Sequence, residues 1–201
     1  MTDSGANKLN TKNSGWINLI LWILLALFLR WLILEPRWIP SGSMLPTFQI
    51  KDRILIEKVS PKINKIFHKS PVRNKIVIFN PPKAITDQGY TSNRALIKRV
   101  VGIPGDKIEI HNGKLVRNGK VIEEPWVIET IRYEMEEIVV PSDSLWVLGD
   151  NRNNSLDSHI WGPLSVKNII GTAVFRYWPF KSIGRIRFPA KEVLSSLHIL
   201  R

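Results

Sequence analysis

Residues 16–34 read WINLILWILLALFLRWLIL, nineteen positions interrupted only by Asn18 and Arg30. At about 1.5 Å per helical residue the run reaches roughly 28 Å, the depth of a bilayer's hydrocarbon layer. Large apolar residues around the whole circumference set it apart from a core helix, which keeps a polar side. A cleavable leader has a shorter apolar region, about 7 to 15 residues, followed by a small-x-small site. EPRWIP at 35–40 supplies no such site. The expectation is one uncleaved transmembrane helix over 16–34. Arg30 lies one turn from its far end, within reach of the headgroups, and Trp16, Trp31 and Trp38 fall where interfacial aromatics collect. Lys8 and Lys12 outweigh Asp3 in the short leading flank, which assigns a tail at 1–15 to the cytoplasm and 35–201 to the other side of the membrane.

Beyond the anchor the pattern changes from helical to extended. Short β-branched runs recur between turn signals: RILIEKV at 53–59, KIVIF at 75–79, ALIKRVVG at 95–102, KIEI at 107–110, KLV at 114–116, KVI at 120–122, IVV at 138–140, LWVL at 145–148 and IIGTAVFRYW at 169–178. Asn112-Gly113 and Asn118-Gly119 are the residue pairs that tight hairpins favour. The chain is therefore expected to form an all-β domain of antiparallel sheets, with a small β cap inserted at 107–137. A length of 201 residues holds one such domain plus an appendage.

A net charge of +12 attracts polyanions of any kind. No zinc-finger cysteines and no RNA-binding sheet motif accompany it, and the apolar run holds the charge at a lipid surface, so the expected partner is the bilayer and not nucleic acid. KINKIFHKS at 62–70 spaces Ile63, Ile66 and Phe67 as a short amphipathic helix would, and a solvated basic loop fits equally. Residues 123–137 carry six glutamates against one arginine, which reads as an exposed rim. The absence of cysteine removes disulfides, thiolate nucleophiles and thiolate metal ligands together.

Three segments carry potential chemistry. In PSGSMLPT at 40–47 two prolines fix φ and a glycine relaxes it, so the turn can present the Ser43 hydroxyl and backbone N–H groups toward one point. A serine in such a turn is more often only a turn serine. The four histidines, at 68, 111, 159 and 198, stand in no recognisable triad context, which leaves lysine as a base. A lysine can serve only when burial disfavours its ammonium form. In ALIKRVV at 95–101, alternation points Lys98 with Leu96 and Val100, and Arg99 with Ile97 and Val101. One of the two cations is expected to face an apolar interior, and only lysine could lose its proton there. A strand lysine reaching out to water is the competing reading. In the third segment, GDNRNNSLDSH at 149–159, the spaced Asp and Asn side chains lack the glycine and terminal glutamate of a calcium loop, having Ser155 and Trp161 at those positions. No metal and no cofactor are expected, and the loop reads as a hydrogen-bonding scaffold.

Taken in order, the anchor, PSGSMLPT at 40–47, RILIEKV at 53–59, IKRVVGIPGD at 97–106, GDNRNNSLDS at 149–158 and FRYWPF at 175–180 resemble bacterial type I signal peptidases, including their cyanobacterial and thylakoid relatives. The resemblance implies a serine endopeptidase that cleaves the signal peptides of exported preproteins after Ala-x-Ala sites. Ser43 would be the nucleophile, Lys98 the general base, and the Ser43 N–H with the Ser41 hydroxyl the oxyanion donors. Ser155 would orient Lys98, while Asp150, Arg152 and Asp157 brace the site. Ile39, Pro40, Met44, Phe48 and Ile97 would line shallow pockets for small substrate side chains. It further implies a monomer in the cell (inner) membrane, or in the thylakoid membrane of a photosynthetic cell.

The sequence departs from that pattern in three places: Lys51-Asp52 replaces Gly-Asp, Asn153 stands where some relatives have Asp, and His159 where many have Arg. The last puts the ion pair with Asp157 in doubt. Two other readings compete: a catalytically silent, membrane-tethered β module that binds lipid or partner proteins, and a self-cleaving repressor-type peptidase. The latter has no use for an anchor and would need DNA-binding helices.

Overall fold

The structure, a computed structural model, describes residues 12–60, 72–89 and 94–186. Helix α1 (Lys12–Ile33) gives way directly to strand β1 (Leu34–Trp38), so the chain turns extended one residue before the expected end of the anchor. Within α1, side chains are described over 15–28 and at Ile33, and from Trp16 to Phe28 all are exposed. Among the described residues, no helix is long and apolar enough to cross a membrane. The described stretch of α1 side chains is shorter than the about 20 residues a bilayer requires.

The remaining strands are β2 (Arg53–Glu57), β3 (Ile76–Phe79), β4 (Leu96–Gly102), β5 (Lys107–His111), β6 (Lys114–Arg117), β7 (Lys120–Val121), β8 (Met135–Val139), β9 (Ser144–Leu148), β10 (Leu164–Ser165), β11 (Ile169–Trp178) and β12 (Gly184–Arg185). The larger sheet runs β1-β2-β11-β3-β4-β9-β10, with β12 on β11, and the smaller runs β7-β6-β5-β8. Every pairing is antiparallel. Short helices α2 (Lys83–Thr86) and α3 (Ser158–Trp161) lie in connections. The antiparallel, sheet-rich architecture matches expectation. The acidic stretch ends inside the cap, because β8 begins at Met135 and carries the small sheet two residues beyond 137. The basic segment at 62–70 lies outside the described residues, as do His68 and His198.

The hairpins at 112–113 and 118–119 place Asn and Gly both at positive φ, the geometry of a type I′ turn. At Gly113 the close approach also forbids a side chain: a Cβ would come within 2.4 Å of Thr130 Cγ2.

Strand β3 explains how the centre is built. All four of its residues are buried, with Ile76 and Ile78 entering one apolar cluster beside Ile39, Met44 and Phe48, and Val77 and Phe79 entering a second beside Val100 and Val147. A sheet covered on both faces has no solvent side to which alternation can send a charge. Strand β4 is the consequence: Lys98 and Arg99 are both buried, and the expectation that only one of them faces the interior is corrected. A third cluster, including Val101, Ile108, Leu115 and Trp146, ties the cap to the main sheet.

Candidate active site

Ser43 sits in a short 3-10 turn (Gly42–Met44) that enters the protein through Ile39. The side chains of Met44 and Phe48 root the turn in the first apolar cluster, and Phe48 N–H donates to Met44 O at 2.9 Å. From across the site, Asn151 N–H donates to Ser43 O and Asn151 Nδ2 to Gly42 O, both at 3.1 Å. The serine is thereby fixed from below by packing and from the side by two hydrogen bonds.

Strand β4 delivers Lys98 to the same point. Its Nζ lies 2.7 Å from Ser43 Oγ, and the lysine is only 3% exposed. Burial lowers the amine's pKa from 10.5 to about 8, against the opposing charges of Asp157 and Asp150. At pH 7 roughly a tenth of the amine is then neutral, with its lone pair within reach of the serine proton. Ser41 Oγ lies 3.4 Å from Ser43 Oγ on the exposed side.

Around this pair the loop 149–159 forms a charged scaffold. Asp150 accepts two hydrogen bonds from Arg99, at 2.7 and 2.6 Å, and a third from the Thr47 hydroxyl just beyond the Ser43 turn. Arg99 also donates to Asn74 O at 2.9 Å, and the Trp126 ring lies 4.1 Å from its guanidinium. Asp157 accepts from Gly149 N–H at 2.8 Å, caps α3, and meets His159 Nδ1 at 2.7 Å. Histidine therefore keeps the contact with Asp157 that the sequence put in doubt, and its ring stacks on Tyr133 at 4.1 Å. Asn153 bridges to the cap, accepting from Arg132 N–H and donating to Thr130 O; an aspartate there could not donate the second bond.

Two expectations are corrected here. Ser155 Oγ is buried without a hydrogen-bond partner, so the expected bond to Lys98 is not formed. The hydroxyl packs against Gly149 instead. A Cβ on Gly149 would lie 2.2 Å from it and 2.5 Å from Ser43 O, so the missing side chain is what lets the loop close on the Ser43 turn. The second correction concerns Met44 and Phe48. Ile39, Pro40 and Ile97 line a cleft of about 430 Å³ together with Pro36, Ile54 and Ala95. Met44 and Phe48 do not line it: Met44 is fully buried, and Phe48 borders a separate cleft beside Thr47 and Arg176.

Glu124 and Arg99 are contributors that the sequence reading did not name, and each pairs with a residue that it did, Arg152 and Asp150. Arg152 donates to Gly149 O at 3.0 Å and pairs with both carboxylate oxygens of Glu124, at 2.5 and 2.7 Å. Glu124 is thus a buried partner from the supposed rim. No local signal distinguishes it from its five neighbouring glutamates. Arg99, by contrast, was detectable, since a strand buried on both faces must pair any cation it carries. Among the described residues, no group of three or more His, Asp or Glu is placed to hold a metal ion.

The family model described as "Signal peptidase, peptidase S26" matches residues 14–178. A protein named probable signal peptidase I-1, from Synechocystis, is 42% identical over 178 residues, covering 87% of this chain and 88% of its own length. The signal peptidase I of Leptolyngbya laminosa is 43% identical over 167 residues, covering 83% of this chain and 80% of its own. A probable thylakoidal processing peptidase 2 of Arabidopsis thaliana is 42% identical over 193 residues, which cover 90% of this chain but 51% of the plant protein. The chain thus spans about half the length of that plant relative and most of the length of the cyanobacterial ones.

Proposed function

The chain belongs to the signal peptidase family, peptidase S26, and on that premise we propose that it removes signal peptides from exported preproteins with Ser43 as nucleophile and Lys98 as general base. One observation carries the assignment of roles: a buried amine of lowered pKa stands 2.7 Å from a serine hydroxyl held in a rigid turn. A silent tethered module has no use for that arrangement.

In the proposed sequence, neutral Lys98 takes the Ser43 proton as Oγ attacks the scissile carbonyl carbon. The resulting oxyanion receives hydrogen bonds from the Ser43 N–H and the Ser41 hydroxyl. As the C–N bond breaks, the Lys98 ammonium returns its proton to the departing amine, leaving an ester on Ser43. A water molecule, deprotonated by Lys98, then hydrolyses the ester and restores the serine. Arg99, Thr47 and Asp150 keep the turn and the loop in register, and Asn151 holds Ser43 directly. Ser155 Oγ, unpartnered beside Gly149, stands ready to accept from the ammonium form once Lys98 has taken a proton.

The cleft lined by Ile39, Pro40, Ala95 and Ile97, with Glu35, Arg37 and Arg94 also on its walls, receives the residues preceding the scissile bond, which the family resemblance gives as Ala-x-Ala. The apolar run at 16–34, read from the sequence, anchors the protein as a monomer in the cell membrane or a thylakoid membrane, with its N-terminus cytoplasmic. The short path from Ile33 to Ser43 then keeps the nucleophile close to the surface where a membrane-held signal peptide offers its cleavage site. Cleavage of a purified preprotein by the full chain, with N-terminal sequencing of the product, tests the reading. A cut after Ala-x-Ala that disappears when the preceding alanine becomes leucine supports it.

A further inference from the structure

Sharing Pro36, Arg37 and Trp38 with the substrate cleft, a second cleft of about 490 Å³ is lined in addition by Lys51, Arg53, Tyr177 and Trp178. It contains three cations, three aromatic residues and no carboxylate. The register explains its composition: Trp38 pairs with Arg53 between β1 and β2, and Arg53 pairs with Trp178 between β2 and β11, so two indoles flank one guanidinium in a row across three strands. Arg53 lies 5.9 Å from the Trp178 ring, and Phe180 meets Trp178 edge-on at 4.7 Å. Among the described residues, neither Lys51 nor Arg53 pairs with a carboxylate.

Lys51 supplies an independent observation. Its φ is +73°, a backbone conformation that costs a residue with a Cβ and is natural for glycine. A lysine held in a strained conformation at the mouth of a cationic cleft points to a use for its charge. The rim is apolar as well as basic: Trp38, Ile50, Trp178, Phe180 and Ile183 are all substantially exposed, Phe180 by 72%. Exposed aromatics set among cations are the composition of a membrane interface.

We propose that this cleft binds the phosphate of an anionic membrane lipid, with Lys51 and Arg53 contacting the charge and Trp38, Trp178 and Phe180 entering the interface around it. Arg37 lines both this cleft and the substrate cleft, so a lipid seated here fixes the height of the substrate cleft above the bilayer. The proposal rests on the membrane placement proposed above.

The chain has no cysteine, so a single label can be introduced cleanly. The full-length Phe180→Cys variant, carrying a nitroxide and reconstituted into vesicles of phosphatidylglycerol or of phosphatidylcholine, reports by collision with oxygen and with a water-soluble nickel chelate how deeply residue 180 sits. The expected result is a deeper label, with loss of aqueous collision, on phosphatidylglycerol. Lys51→Gln with Arg53→Gln should abolish that lipid dependence, whereas Lys114→Gln with Lys120→Gln, on exposed cap strands, should not. Equal depth in both lipids without any further substitution overturns the proposal, and so does equal loss from the cap pair, which would mean attraction by net charge alone. Inorganic phosphate added to phosphatidylcholine vesicles should leave the label unmoved; deepening there would assign the site to the free anion and also overturn it. Failure of the full chain to stay with membranes after alkaline extraction would instead count against the anchor.

Discussion

Lys98 Nζ lies 2.7 Å from Ser43 Oγ in a setting that lowers the amine's pKa to about 8. Burial causes the shift, while Asp157 and then Asp150 oppose it. The free enzyme's kcat/KM should therefore rise with pH along an acid limb centred near 8. Asp157→Asn removes the larger of the two charges that favour the ammonium form, so the limb should move to lower pH. Rates on a peptide substrate across pH 6–10 check this, and a limb that stays in place would show that Asp157 does not act on the base.

The same shift has a consequence for stability. The folded-state pKa, about 8, lies below the unfolded value of 10.5, so between the two the unfolded chain holds a proton that the folded chain lacks. Stability from this group is then complete above pH 10.5 and is lost as pH falls toward 8. At 1.36 kcal/mol per pH unit the loss is about 3 kcal/mol. Lys98→Met should abolish that slope and be more stable than the parent at pH 7 by a similar amount, as read by denaturant unfolding in detergent.

Ser155→Ala separates catalysis from folding. The hydroxyl is buried without a partner, a state that costs about 1–3 kcal/mol, so its removal should leave stability equal or raised. If the hydroxyl receives the Lys98 ammonium during turnover, kcat should fall while KM and melting temperature hold. A kcat equal to wild type would assign Ser155 to packing against Gly149 alone.

Glu124→Gln tests the link from the cap. It would leave the Arg152 guanidinium, whose side chain is fully buried, without its carboxylate. The expected destabilisation is about 3 kcal/mol. Because Arg152 holds Gly149 O, activity should decline with it. Glu123→Gln, at an exposed position in the same stretch, should change neither.

Much of this was legible because it depends on local chemistry. The run IIGTAVFRYW became β11 residue for residue, and both Asn-Gly pairs made the hairpins that their positive φ angles demand. For Ser43 and Lys98 the turn and the strand left a plain turn serine and a solvent-reaching lysine open, and the family resemblance of the ordered motifs is what singled the pair out. What stayed hidden depends on contacts distant in sequence. Alternation could not sort Lys98 from Arg99, because β4 is covered on both faces. Met44 and Phe48 were expected to line substrate pockets, whereas both are buried in the apolar cluster beneath the Ser43 turn. Glu124 and Trp126 gain their roles only when the cap folds back onto Arg152 and Arg99.

Cleavage of a purified preprotein by wild type, Ser43→Ala and Lys98→Ala, each confirmed to be folded, bears most directly on the Ser43–Lys98 pair. The expected result is a specific cut by wild type and none by either variant. Cutting at the wild-type rate by either one would contradict the proposed nucleophile and base.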